Sequence, residues 1–259
     1  MKVSESQWQK KNKAIIITGA NGNVGSYFAK QYLELEENLI LFIHEQEHRI
    51  LEIKQNHPDK VKVVRSDLNN LEKLEEDLSS IVNETHWQPD RLIHTATIHS
   101  HDFQPLVDTD PELWTEIINV NLVGTFNVLK CVLPYFKKNQ NGKIVLFASN
   151  VTRIGLPNGS AYSASKAGIA NIGRTLAAEE AGNNIIINTV SPGPIKIDDS
   201  HFSESYRIFR EQYYKEKIRE IPLKRCASFN DLFGLCKFLL SEENSYITGE
   251  EFFITGGKL

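Results

Sequence analysis

Thr18-Gly19-Ala20-Asn21-Gly22-Asn23-Val24-Gly25 follows directly on a β-branched run, Ala14–Ile17. It leads into residues 24–37, where Val24, Tyr27, Phe28, Gln31, Tyr32 and Leu35 are spaced for one or two helix faces. Glycine lets the backbone turn tightly and lets a ligand come close to it. The helix that follows offers free N–H groups and a partial positive charge at its start. Three glycines alone also describe an ordinary turn. Placed between the first strand and the first helix of an alternating chain, they read as the pyrophosphate turn of a dinucleotide-binding unit.

The chain does alternate. Apolar runs recur at Leu39–Ile43, Val61–Val64, Arg91–Ala96, Lys143–Ala148, Ile185–Val190 and Glu251–Ile254. Between them lie helix-like stretches at 45–56, 70–83, 158–181 and 229–240. A longer one opens at Asp110, an N-cap followed by Pro111 at N1, and runs to about Lys138. Strands that read as continuous apolar runs are covered on both faces. The expected fold class is α/β: a single doubly wound Rossmann domain over 13–259, its parallel sheet of about seven strands carrying helices on both faces. Residues 1–12 read as a flexible leader, and 197–221, polar with interspersed aromatics, as a lid over the substrate.

Composition narrows the partners. Among 259 residues, Lys plus Arg is 29 and Asp plus Glu is 33, a formal net charge of −4 with no basic stripe. That excludes nucleic acid and anionic membrane as main partners. The three cysteines, Cys131, Cys226 and Cys236, form no CxxC and read as small buried apolar side chains in a reducing compartment. Met1–Lys13 lacks the apolar core of a signal peptide, and no apolar run approaches ~18 residues. The reading is a cytoplasmic protein.

Tyr162-Ser163-Ala164-Ser165-Lys166 opens the helix at 158–181 and puts Tyr162 and Lys166 on one face. A phenol with a pKa of about 10 ionises too weakly near neutrality, and a neighbouring ammonium favours the phenolate. Such a tyrosine takes a proton from an alcohol or gives one to a carbonyl oxygen. On spacing alone, an ordinary surface pair is the better reading.

With its other motifs the chain resembles the short-chain dehydrogenase/reductase family in its single-domain form. The pieces stand in the family's order across 13–257: TGANGNVG at 18–25, SDL at 66–68, LIHTAT at 92–97, NVNLVGTF at 119–126, GKIVLFAS at 142–149, YSASK at 162–166, NTVSPGPI at 188–195, PLKR at 222–225 and SYITGEEFFITGG at 245–257. The resemblance implies an NAD(P)-dependent oxidoreductase moving a hydride between nicotinamide and a secondary alcohol or ketone. It makes Tyr162 the general acid/base and has Lys166 tune Tyr162 and grip the nicotinamide ribose. Ser149 then donates to the reacting oxygen, and Asn121 anchors a water linking Lys166 to solvent. The implied cofactor site comprises Gly19, Asn21, Gly22, Asn23, Val24 and Gly25, His44 or Glu45 at the end of strand two, Asp67 and Leu68, Thr95 and Ala96, Tyr162 and Lys166, and Pro192, Gly193 and Ile195.

Several positions depart from the family pattern. The turn reads TGxxGxxG rather than TGxxxGxG, and LIHTAT stands where NNAG is usual; both lean towards the extended branch of epimerases and dehydratases. That branch carries a substrate domain for which this chain has no room. An NAD-using epimerase or dehydratase is therefore an alternative, as is a non-catalytic cofactor-sensing protein. Ile197 replaces a threonine that often holds the carboxamide, leaving backbone, Asp198 or Ser200 for that contact. Thr255 replaces a common Asp.

Glu45 and Glu47, with no Arg or Lys in 18–25 or 42–48, favour NAD over NADP. His99-Ser100-His101-Asp102 lacks a third ligand nearby, so no metal is expected. Phe202, Tyr206, Phe209 and Tyr213 follow helical spacing in the lid, with Arg207 and Arg210 available to an anionic group. The substrate is a small molecule. The two long helices, with Phe126, Leu129, Leu133 and Phe136 on one and Ala167, Ala170, Gly173 and Ala177 on the other, point to a homodimer or homotetramer.

Overall fold

The structure, a computed structural model, describes residues 12–98, 104–197 and 203–258. Seven strands form one parallel sheet: β1 (Lys13–Thr18), β2 (Asn38–Ile43), β3 (Val61–Arg65), β4 (Gln88–His94), β5 (Gly142–Phe147), β6 (Ile185–Pro192) and β7 (Glu251–Ile254), in the order β3-β2-β1-β4-β5-β6-β7. The helices are α1 (Asn23–Glu34), α2 (Leu51–Asn56), α3 (Leu71–Thr85), α4 (Pro111–Ile118), α5 (Gly124–Asn139), α6 (Val151–Ile154), α7 (Ser160–Glu180), α8 (Glu204–Glu220) and α9 (Phe229–Leu239).

Strand alternation divides the core. Ala14 and Ile16 join one cluster with Leu74 and Leu78 of α3, Val128, Val132 and Phe136 of α5, and Ile169 and Ala170 of α7. Ile15 and Ile17 join the other, with Phe28 and Tyr32 of α1, Ile53 of α2, and Leu232 and Phe233 of α9. Helices therefore cover both faces, as the continuous apolar strands require, and each such Leu or Ile contributes ~1.5–3 kcal/mol by leaving water. The order reverses between β1 and β4, and ligands of open α/β sheets bind in the crevice outside the carboxyl ends of the strands at that point.

Several boundaries differ from the sequence reading. Strand four ends at His94, because Thr95 turns its hydroxyl back onto the Thr18 carbonyl, 2.7 Å away. The stretch at 45–56 is helical only over α2. Residues before it turn, with Ile50 N–H donating to the Glu47 carbonyl at 3.0 Å. Asp110 caps α4 through the Glu112 N–H, as its position implies. The long helix then opens into a π-turn over Asn119–Val123 before α5 begins.

By length and composition Pro111–Asn139 is apolar enough to cross a membrane, but half of its most apolar window is buried inside the protein. Of the apolar positions on the two long helices, Leu129, Phe136, Ala170, Gly173 and Ala177 are buried, whereas Phe126 is 50% exposed and Ala167 is exposed. The periodicity marked apolar positions without saying which faced the chain's own sheet. All three cysteines are free and buried.

Candidate active site

The glycine turn is closed by contacts that only glycine permits. Gly19 has φ +66°, and a Cβ there would lie 2.7 Å from the backbone N and Cα of Ala96. A Cβ on Gly25 would lie 2.4 Å from the Gly19 carbonyl oxygen. The turn thus sits directly on the exit of β4. Gly22 is the N-cap of α1, and no side chain caps that helix. Asn23 Oδ1 is buried with no hydrogen-bond partner among the described residues. With the amide turned over, its NH2 joins the uncapped N–H groups; this is a cradle suited to a pyrophosphate. Asn21 faces the loop after β2: its Oδ1 accepts from Arg49 N–H at 2.8 Å, and Arg49 Nη1 lies 3.5 Å from the Asn21 carbonyl oxygen and 3.0 Å from His48 Nε2.

The other expected cofactor residues leave the same edge of the sheet. His44 and Glu45 are exposed just beyond β2. After β3, Asp67 Oδ1 accepts from Asn69 N–H, and the Leu68 carbonyl accepts from Asn127 Nδ2, both at 2.9 Å. Beyond β6, Pro192 ends the strand, Gly193 N–H donates to the Ile254 carbonyl at 3.0 Å, and Ile195 bridges to Ala227. The Ile197 N–H donates to Tyr214 Oη at 3.1 Å, and that hydroxyl lies 3.2 Å from the Ile195 carbonyl. Asp198 and Ser200, and the HxHD stretch at 99–102, lie outside the described residues, as do residues 1–11 of the leader.

Ser149 follows β5, and Tyr162 and Lys166 stand one turn apart on α7. Burial pushes the Tyr162 phenol up to about 12; its hydrogen bond with Ser149 opposes the rise, and Tyr213 on α8 adds to it. Lys166 is 2% exposed, and burial brings its ammonium down to about 7. Its Nζ donates to the Phe147 carbonyl at 3.0 Å and stands 5.6 Å from the centre of the Tyr162 ring. The Ser149 hydrogen bond thus lowers the phenol against the larger rise that burial imposes. The sequence paired Tyr162 with Lys166 by spacing, and burial of both sets their values instead.

Asn121 lies in the π-turn, fully buried. Its Oδ1 accepts from Ile98 N–H at 2.8 Å and Thr97 Oγ1 at 3.1 Å, and its Nδ2 donates to the Ile98 carbonyl at 3.0 Å and Ser165 Oγ at 3.1 Å. Ser165 Oγ donates to the Tyr162 carbonyl at 2.8 Å. The side chain ties the exit of β4 to the helix of Tyr162 and Lys166.

Residues that sequence reasoning passed over complete the site's frame. Thr125 Oγ1 donates to the Asn121 carbonyl at 2.5 Å, so the 2.8 Å bond to His94 Nε2 requires His94 to be the donor there. His94 Nδ1 then accepts from Thr18 Oγ1 at 2.7 Å. Burial, with Lys166 nearby, holds this imidazole neutral down to about 3. A histidine closing the apolar run LIH was the available signal. On α8, Tyr214, one of the aromatics noted in the lid sequence, is buried, whereas Phe209 is 53% exposed. Phe202, which the helical spacing included, lies outside the described residues.

A nucleotide turn at the switch point and a Ser–Tyr–Lys set beyond β5 describe a nicotinamide-linked oxidoreductase, and comparison with known proteins gives it a family. A family model described as enoyl-(acyl carrier protein) reductase matches residues 19–258. The 3-oxoacyl-[acyl-carrier-protein] reductase FabG of Thermotoga maritima is 32% identical, over 95% of this chain and 97% of its own. Dehydrogenase/reductase SDR family member 4 of Rattus norvegicus is 27% identical, over 95% and 87%. Among solved structures, ElxO with NADP bound superposes with a TM-score of 0.85 at 25% identity, covering 95% of this chain and 98% of that one. A short chain dehydrogenase from Leptospira borgpetersenii with bound NAD+ gives 0.82 at 28%, covering 99% and 96%. The chain belongs to the short-chain dehydrogenase/reductase family. It is an enzyme, an NAD(P)-dependent oxidoreductase.

Proposed function

We propose that this enzyme interconverts a secondary alcohol and a ketone on a small molecule, with Tyr162 as general acid/base. The observation that carries the reading is the Ser149–Tyr162 hydrogen bond set above buried Lys166. The nicotinamide supplies or accepts the hydride. Ser149 donates to the reacting oxygen and stabilises charge as it develops there. Tyr162 gives that oxygen its proton in reduction and takes it in oxidation. Lys166 grips the nicotinamide ribose and, once turned from the Phe147 carbonyl, favours the phenolate. Asn121 holds α7 to the exit of β4 and anchors a water that links Lys166 to solvent. The turn at Gly19, Asn21, Gly22, Asn23, Val24 and Gly25 takes the pyrophosphate, and Asp67, Leu68, Thr95, Ala96, Pro192, Gly193 and Ile195 line the remaining length. Residues 13–259 act as one unit, with 197–221 as its lid, in a cytoplasmic homodimer or homotetramer. Tyr162→Phe should lower kcat by ~10²–10⁴-fold while cofactor binding stays within twofold. Retention of a tenth of kcat would remove Tyr162 from its role.

The cofactor we propose is NAD, supported by Glu45 beside the adenosine end of the cleft. One observation favours NADP as a second reading. Arg49 stands against Asn21 of the turn, and Glu47 is engaged by Lys54 at 2.9 Å and Arg65 at 3.0 Å. Calorimetric Kd values for both cofactors at pH 8 distinguish the two.

A further inference from the structure

A carboxylate is buried on β7 where the strand is otherwise Phe252-Phe253-Ile254. The Glu251 side chain is 7% exposed. Its Oε1 accepts from Thr152 Oγ1 and Ser191 Oγ, each at 2.6 Å, and its Oε2 accepts from Arg174 Nη2 at 2.6 Å. The three donors belong to three elements: α6, just after Ser149; the end of β6; and α7, which carries Tyr162 and Lys166. Thr152 Oγ1 also lies 3.0 Å from the Ser149 carbonyl oxygen. An apolar side chain would fill this place without desolvating a charge, and such replacements are often neutral or stabilising. What an apolar side chain does not provide is a common anchor for three donors. Short bonds to a carboxylate are also stronger and more directional than neutral ones.

We propose that Glu251 is a positioning residue for the reaction: it pins the Ser149 segment and α7 to the end of β6, so that the Ser149 hydroxyl stays against the Tyr162 phenol. Misplacement by about 1 Å of a group that orients a reacting atom costs on the order of 10²-fold in rate. The inference rests on the roles proposed above for Ser149 and Tyr162.

The test uses Glu251→Val, Glu251→Gln and Thr152→Val in the full chain with saturating NAD or NADP. Hydrogen exchange of backbone amides 149–154 reads the segment without any substrate. Turnover is read with whichever member of a panel of β-keto esters and α-diketones the unmutated enzyme reduces. Glu251→Val and Thr152→Val should speed exchange in 149–154 at least tenfold and lower kcat at least tenfold, with cofactor KM within twofold. Glu251→Gln keeps an acceptor for the two hydroxyls and should fall between. In a Ser149→Ala background, Glu251→Val should lower kcat no further. Unchanged exchange in 149–154, or a kcat loss that adds in full to that of Ser149→Ala, overturns the proposal. Should Glu251→Val not fold, Thr152→Val carries the test, since it leaves the carboxylate with Ser191 and Arg174. Failure of the underlying reading shows separately, as activity in Tyr162→Phe.

Discussion

Lys166→Met exchanges a buried ammonium for a thioether of similar length, and its effect on stability has a definite sign. Burial holds the folded-state value at about 7, against 10.5 for an unfolded lysine. Between those values the unfolded chain binds a proton that the folded protein does not, so stability rises with pH across that window, and below about 7 the folded state bears the whole cost. At ~1.4 kcal/mol per pH unit that cost is roughly 4–5 kcal/mol. The lost bond to the Phe147 carbonyl takes back about 1 kcal/mol. Relaxation around a buried charge takes a further part, leaving about 2–4 kcal/mol of gain. The neighbours do not confuse the measurement, since His94 stays neutral down to about 3 and Tyr162 protonated up to about 12. In calorimetry of the cofactor-free protein at pH 6, Lys166→Met should melt roughly 4–16 °C higher, at ~2–4 °C per kcal/mol. At pH 10 most of that gain should be gone, and turnover should be lost throughout. An unchanged or lower Tm at pH 6, or a gain that does not depend on pH, would refute the reasoning.

Gly19→Ala places a methyl 2.7 Å from the backbone of Ala96 at φ +66°; with ~1–2 kcal/mol for the left-handed conformation alone, Tm should fall by several degrees and cofactor Kd rise at least tenfold, and a change in neither would mean the turn is looser than its geometry. Arg49→Ala should weaken NADP at least tenfold more than NAD by calorimetry, because Arg pairs well with a phosphate; equal losses would take Arg49 out of the adenosine end. Phe126→Glu charges a side chain that is 50% exposed and should lower the mass seen by light scattering at micromolar protein, whereas a monomeric mass for the unmutated chain would contradict the proposed assembly.

The sheet was legible because its central strands are covered on both faces, so runs such as Ile15-Ile16-Ile17 carry no polar interruption. The glycine turn and the Tyr162–Lys166 pair were legible because their residues are neighbours in sequence. What escaped was contributed from a distance. Glu251 finds its donors 60, 77 and 99 residues away, and nothing local marks a buried carboxylate in EFFI. Arg49 reaches back 28 residues to Asn21, so the sequence offered Arg49 as a phosphate partner without showing that it meets the turn. The π-turn at Asn119–Val123 was invisible because the apolar period on either side of it continues.

The place of β1 at the centre of the sheet has a consequence for how the chain is made. Thr18 meets His94 across 76 residues. At ~5–20 residues per second of synthesis, β1 waits roughly 4–15 s for its second neighbour. Until β4 arrives, one edge of Ile15–Ile17 is unpaired, and an unpaired apolar edge is a template for joining another chain. Anything that stalls the ribosome between codons 19 and 94 prolongs that exposure. Slower synonymous codons in this interval, silent in the finished enzyme, should therefore lower the soluble fraction on expression.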